Sequence, residues 1–304
     1  EVKWSSDGSR VYMLDTSDKI IYESKCSTAY DISTASHWSF GGFGSTPVGF
    51  DFNPTLTKVA ILENSNRIKE FIISGGNINS PTQNVSYTGS NGTLISEPTT
   101  ATSFCWNGDG KKFFVSCSTN NRIYQYSVRD DAPYEVRNVS YDNVSFDISS
   151  KEGSPTMISF ENAGSGNAGG KLFVLGTASD KLHEFAAFGG AWSQQQKITP
   201  TETIGTSEIT RWGQSISLST DGNIFAVGTD RFNSNGGPET GQTQVWERSG
   251  TSWSEKKKIQ SADIAANDAF GISNAISGDG KTLLVGASND DDNASGAGAA
   301  FVFT

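Results

Sequence analysis

The chain has 304 residues, a formal net charge of −10, hydrophobic residues at only 35% and 33 glycines. An acidic surface repels phosphate backbones, and the short "EKKKIQ" at 255–260 is no basic patch, so nucleic acid is an improbable partner. No apolar stretch is long enough to span a bilayer, no signal peptide opens the chain, and Glu1 in first position suggests a processed or partial chain.

Taken in order, the chain repeats one pattern six times: "VKWSSDGSRVYMLD" (2–15), "VGFDFNPTLTKVAILE" (48–63), "ATSFCWNGDGKKFFVSC" (101–117), "PTMISFENAGSGNAGGKLFVLG" (155–176), "WGQSISLSTDGNIFAVG" (212–228) and "FGISNAISGDGKTLLVG" (270–286). Each reads as an apolar strand, a turn marked by Asp-Gly or a substitute, and a second strand apolar on both faces. A third, alternating strand follows ("KIIYES", "RIKEFII", "RIYQYSV", "KLHEFAA", "TQVWERS", "AAFVF"), then a more polar fourth such as "WSEKKKIQ" at 253–260. A repeat of roughly 50 residues that cannot bury its own faces predicts an all-β, six-bladed β-propeller of four-stranded antiparallel blades. The expected units are 1–47, 48–100, 101–154, 155–209, 210–267 and 268–304 of one domain. The last unit stops after its third strand, leaving a bare edge or a place for a strand from a continuing chain or a neighbour, with a larger assembly favoured.

Two subtypes are visible. Blades 1–4 carry the pattern of "GSRVYMLDTSDKIIYESKCSTAYDISTAS" (8–36), with "NRIYQYSV" (121–128) and "TAYDISTAS" (28–36) as its clearest parts. They resemble propeller repeats of bacteriophage structural and tail-associated proteins, especially marine ones. Blades 5 and 6, through "DAFGISNAISGDGKTLLVGASNDDDNASGAGAAFVF" (268–303) and "RWGQSISLSTDGNIFAVGTD" (211–230), resemble FG-GAP repeats. The two resemblances imply a virion-surface or extracellular protein that binds partners: a host surface glycan or receptor, and other virion proteins. A cellular, calcium-assisted FG-GAP adhesion module is the alternative, and a propeller hydrolase acting on a surface glycan is a third reading.

No cofactor is certain, and calcium is the one candidate. FG-GAP relatives hold it in an Asp-x-Asp-x-Asp-Gly turn, which "STDG" and "SGDG" here lack. The remaining oxygen ligands are Asp290, Asp291, Asp292 and Asn293 in the loop between the second and third strands of blade 6, against the alternative of a solvated acidic loop. The matching loop of blade 5 offers Arg231, Phe232, Asn233 and Asn235, an aromatic with amides that suits sugar hydroxyls. A Gly-rich connector is the alternative there.

Nothing in the motifs points to an enzyme. There is no G-x-S-x-G or H-E-x-x-H, and the two histidines, His37 and His183, read as surface or edge residues. Glu63 and Asn64 imitate part of the hub metal set of propeller lactonases, without recognisable partners. Cys26, Cys105 and Cys117 read as small buried side chains, with Lys112 or Phe113 expected opposite Cys105. Tryptophans 4, 38, 106, 192, 212 and 253 read mostly as blade packing. The sequons at Asn84, Asn91, Asn138, Asn143 and Asn293 carry no glycan if the chain belongs to a phage.

Overall fold

The computed structural model describes residues 1–5, 7–41, 46–64, 67–74, 77–86, 100–136, 139–161, 170–188, 191–201, 209–233, 239–292, 294 and 296–304. Side chains within 37–41, 74–86, 187–188 and 209–210 fall outside the description. Six antiparallel sheets follow one another along the chain and form a six-bladed β-propeller. Blades 1 to 5 have four strands in sequence order, while blade 6 has three: Phe270–Ile276, Leu283–Ala287 and Ala299–Phe303. The first strand of each blade lines the hub, and the first strands of blades 1 and 6 touch, so the ring closes by packing. A two-stranded ladder, Ile209–Thr210 with Arg231–Phe232, stands beside blade 5.

The marker turns explain the repeat. In blades 1, 5 and 6 the Asp accepts from a Ser hydroxyl two residues earlier (Ser5, Ser219, Ser277, each 2.6 Å). Its oxygen also accepts the backbone N–H two residues later, and these bonds hold Asp7, Asp221 and Asp279 below the usual carboxylate range. The following Gly sits at φ between 65° and 73°, and Leu56 takes that place in blade 2 at 52°. In blade 3, Asn107 bonds the backbone of Lys112 across the turn, so Trp106 pairs with Phe113 and Cys105 with Phe114. The partner expected for Cys105 was thus off by one or two residues, because the loop is longer than a two-residue hairpin.

Tyr30, the tyrosine of "TAYD", lies over Gly8 and edge-on to Trp4, and Tyr134 does the same over Gly110 and Trp106. The motif that carries the phage resemblance therefore closes the turn of its own blade.

The core is a set of apolar seams between neighbouring blades. Second-strand residues alternate between seams, as the pleat requires: Phe114 faces blade 4 while Phe113 and Val115 face blade 2. In blades 1 to 4 a basic residue opens the second strand and meets a carboxylate on the third or fourth. The pairs are Arg10 with Glu23, Lys58 with Glu70 (3.3 Å), Lys112 with Asp142 (2.7 Å) and Lys171 with Glu184 (2.6 Å). The next blade then donates into the same spot: Val136 N–H to Glu70, Trp192 Nε1 to Gln125 and Trp253 Nε1 to Glu184. The buried charges are thereby paired and hydrogen-bonded, as burial demands.

Candidate functional site

The two long loops of blades 5 and 6 meet through residues 267–270. Ala269 and Phe270 donate backbone N–H groups to Glu239 and Thr240 of the first loop, and Asn289 of the second donates to Asp268. Gly241 lies so close to blade 6 that a Cβ there would stand 1.9 Å from the Phe270 carbonyl oxygen. The described parts of both loops thus meet on one rim.

Within the first loop, Arg231 pairs with Glu239 at 3.1 Å, and the Asn233 side-chain oxygen accepts the Glu239 backbone N–H at 2.9 Å. Phe232 is half-buried against the cluster of Trp212, Phe225 and Trp246, and its carbonyl accepts from Gly241 and from the Thr240 hydroxyl. Asn235 lies outside the described residues. Asp230, just before these residues, is buried and paired with Arg211 at 3.1 Å; burial pushes its carboxyl up against the pull of that guanidinium.

In the second loop, Asp290 is 2% exposed, whereas Asp291 and Asp292 are exposed and Asn293 lies outside the described residues. The buried neighbour of Asp290 is Asp268, 4% exposed, whose side chain accepts the Ala265 N–H. Burial, and then the nearby Asp268, Asp292 and Asp291 charges, push the Asp290 carboxyl up against the pull of the Asp292 backbone bond. Calcium takes six to eight oxygens. No cluster of three acidic, His or Cys side chains able to hold a metal occurs among the described residues, and the fourth expected ligand, Asn293, lies outside them. Asp268 was missed in sequence because it lies outside the acidic run, yet "DAFG" places it at the start of the same blade.

The hub holds a cavity of about 470 Å³ at the end where the marker turns gather, lined by Lys3, Asp51, Asn53, Asn107, Ser217 and Asn274 among others. Lys3 sits between Asp51 (3.0 Å) and Glu1 (3.3 Å), while Asp51 also accepts the Trp106 N–H. Burial works to lower the Lys3 pKa, but the two carboxylates outweigh it and hold the ammonium charged. On the opposite wall the Ser217 hydroxyl donates to Asn274, whose amide donates to Ser215 at 2.6 Å. The hub is polar and internally paired. Glu63 and Asn64 do not line it; Glu63 is buried beside Lys69 at 2.6 Å and Asn64 is exposed.

His183 is 1% exposed, not at the surface or an edge, because third strands are covered by the fourth and by the next turn. Its Nδ1 meets the Gln194 amide nitrogen at 3.1 Å and its Nε2 the Ser179 hydroxyl at 3.4 Å. With Gln194 donating to Nδ1, Nε2 carries the hydrogen, and Ser179 passes its own to Glu152. Glu152 also accepts the N–H groups of Ser154, Ala178 and Ser179. The direction of donation runs away from the histidine, so the array anchors a turn and does not activate Ser179.

The three cysteines are buried and unbridged. Trp106 and Trp212 are buried in seams, and Trp192 and Trp253 make the interblade bonds described above. The side chains of Trp38, His37 and Asn84, together with Asn91 and Asn138, lie outside the description; Asn143 is exposed on the outer strand of blade 3.

Among family models, the FG-GAP repeat matches residues 253–303, the outer strand of blade 5 and all of blade 6. No curated protein matches the sequence. Similar solved structures include a functionally unknown protein from Desulfotomaculum acetoxidans, 13% identical at a TM-score of 0.61, over 100% of this chain and 81% of that one. A candidate 6-phosphogluconolactonase from Bacteroides fragilis is 15% identical at 0.59, over 99% and 82%. The Cps50 (Swd1) β-propeller domain of Myceliophteria thermophila is 10% identical at 0.59, over 93% and 92%. At such identities the likeness shows the fold alone: the chain is a six-bladed β-propeller whose sixth blade matches the FG-GAP repeat model.

Proposed function

We propose that the chain is a non-enzymatic binding module working outside the cell, which engages a surface glycan or receptor through the rim built by blades 5 and 6. The observation that supports this most is the joining of their two long loops through residues 267–270, in a region matching the FG-GAP repeat. Recognition residues commonly sit on loops held by a rigid scaffold. Arg231 and Asn233 contribute polar groups next to the half-buried ring of Phe232, and Asp291 and Asp292 add exposed acceptors. The repeat type of blades 1–4 favours display on a phage particle among other virion proteins, and an extracellular adhesion module is the cellular counterpart. Proteomics of purified virions separates the two settings.

The test is binding of the purified chain to immobilised glycans and to whole cells, with Arg231→Ala and Asn233→Ala variants. The proposal expects saturable binding, weakened by both variants while the melting temperature stays close to that of the parent. Absence of binding to every glycan and cell type would retire it.

A hydrolase working at the hub is the second reading, drawn from the hub cavity. Against it, both carboxylates at that mouth are engaged by Lys3. Turnover of 6-phosphogluconolactone, or release of sugar from a surface glycan, would establish it in place of the first.

A further inference from the structure

Lysines in this chain are mostly paired: Lys58, Lys69, Lys112 and Lys171 each meet a carboxylate at 3.3 Å or less. Lys151, Lys181 and Lys197 meet none among the described residues, yet blade 4 gathers them in one place. Lys197 pairs across the ladder with His183, which sets their Cβ atoms about 5 Å apart. Lys181 stands two residues before His183 on the third strand, Lys181–Phe188, and so shares its face. Lys151 arrives from the link between blades 3 and 4. Its neighbour Glu152 accepts the N–H groups of Ala178 and Ser179, which ties that link to the turn preceding Lys181. The charges of all three lysines reach the buried His183; Lys151 and Lys197 are exposed, and Lys181 is half-buried. The carboxylates beside them are engaged elsewhere. Glu152 is buried and accepts from Ser154, Ala178 and Ser179, and Asp180 accepts the Trp212 N–H.

These lysines adjoin the recognition rim. Turns between second and third strands share one end of the ring, so the turn at 177–180 opens on the same side as the long loops of blades 5 and 6. Asp180 of that turn accepts from Trp212, the preceding Arg211 pairs with Asp230 at 3.1 Å, and Asp230 leads directly into Arg231 and Phe232. We infer that Lys151, Lys181 and Lys197 form an anion-recognition patch beside the rim, and that the polymer bound there is an acidic polysaccharide carrying carboxylate or sulfate groups. The inference rests on the rim reading and adds the charge of its ligand. Duplex nucleic acid or an anionic bilayer presents charge over a broad continuous surface, which would also meet the exposed Asp291 and Asp292 of a chain whose net charge is −10. A single polysaccharide strand spaces its charges. It lays acidic units on the lysines and hydroxyls at Arg231 and Asn233.

The experiment immobilises polygalacturonate, dextran sulfate and neutral dextran and measures binding of the purified 304-residue chain to each. At least one acidic polymer is expected to bind about tenfold more tightly than dextran, an advantage lost in about 0.5 M salt. The carboxylate and sulfate arms tell the two sources of charge apart. Lys151→Ser, Lys181→Ser and Lys197→Ser combined remove the same factor of about ten, as loss of three exposed ion pairs requires, with the melting temperature unchanged. A charge-matched control, Lys19→Asn with Lys257→Ser and Lys281→Ser, keeps the preference. No binding to either acidic polymer, equal affinity for acidic and neutral polymers, or a preference that survives the triple variant overturns the inference. The rim reading then still stands if Arg231→Ala weakens binding to a neutral glycan. Duplex DNA held by the same lysines more tightly than either acidic polymer also overturns the inference. A preference that depends on the lysines and ignores Arg231→Ala keeps the patch and removes the rim.

Discussion

Blades 1–4 and blades 5–6 solve the same packing problem with different chemistry. At equivalent positions, the first four blades place Arg10, Lys58, Lys112 and Lys171 diagonally across from Glu23, Glu70, Gln125 and Glu184, and the fifth and sixth place Ile224 diagonally across from Val245 and Thr282 from Val302. Where the charged pair is absent, the backbones come together instead. A Cβ on Gly228 would stand 1.8 Å from the Gly271 carbonyl oxygen of the next blade, and Ser215 bonds that same oxygen at 2.9 Å. A charged seam needs partners that reach across it, such as the Trp253 indole; an apolar, glycine-lined seam needs only that nothing intrude. The second kind leaves its loops free of that duty, and the long loops are found there.

The largest expected effect comes from intruding on the glycine seam. Gly228→Ala should destabilise the fold by about 3 kcal/mol or more, since carbonyl and Cβ cannot share that space. Calorimetry or chemical denaturation measures it, and a loss under about 1 kcal/mol would mean that the two blades slide apart easily.

The charged seam is tested next. Glu184→Ala strands Lys171 and the Trp253 N–H, at a cost of about 2 kcal/mol once the partial exposure of Lys171 is allowed for. Lys171→Ile combined with Glu184→Val copies blade 5 and should recover the share due to the stranded Lys171, while the Trp253 N–H stays unpaired. If the double variant is no better than the single one, the two blade types are not interchangeable in the way their sequences suggest. Trp253→Phe isolates the indole bond and its contact with the Arg248 guanidinium, and should cost about 1 kcal/mol.

A smaller effect depends on pH. Burial lowers the pKa of His183; nearby Glu152 opposes that shift, and Lys181, Lys197 and Lys151 reinforce it. The unfolded chain therefore takes up this proton first as the solution is acidified. The contribution of the neutral histidine is complete above the unfolded value of about 6.5 and declines as pH falls below it. Stability measured between pH 7 and 5 should fall less steeply in His183→Gln than in the parent. Equal slopes would mean that His183 does not set the acid sensitivity between pH 7 and 5. The smallest effect concerns calcium: chelation should leave the melting temperature unchanged, and a drop would mean that the Asp268 and Asp290 pair recruits further oxygens.

Much of this division can be read along the chain, because turn chemistry and strand alternation are local. The Ser-x-Asp-Gly marks at 5–8, 219–222 and 277–280 fix register through bonds spanning only a few residues. Leu56 at φ 52° shows how far the mark can drift while the turn survives. The site was less legible. Asp268 joins Asp290 across 22 residues, and His183 meets Gln194 only because the third and fourth strands pair. Such relations belong to the ring and not to any one repeat.

The most direct measurement is a hydrogen-exchange footprint of the chain on a cell surface or glycan that it binds. Protection concentrated at residues 231–233 and 289–292, with the marker turns of blades 1–3 unchanged, is the predicted result. Protection at the hub-mouth residues Lys3, Asp51 and Asn107, with the rim unchanged, would contradict the assignment of recognition to blades 5 and 6.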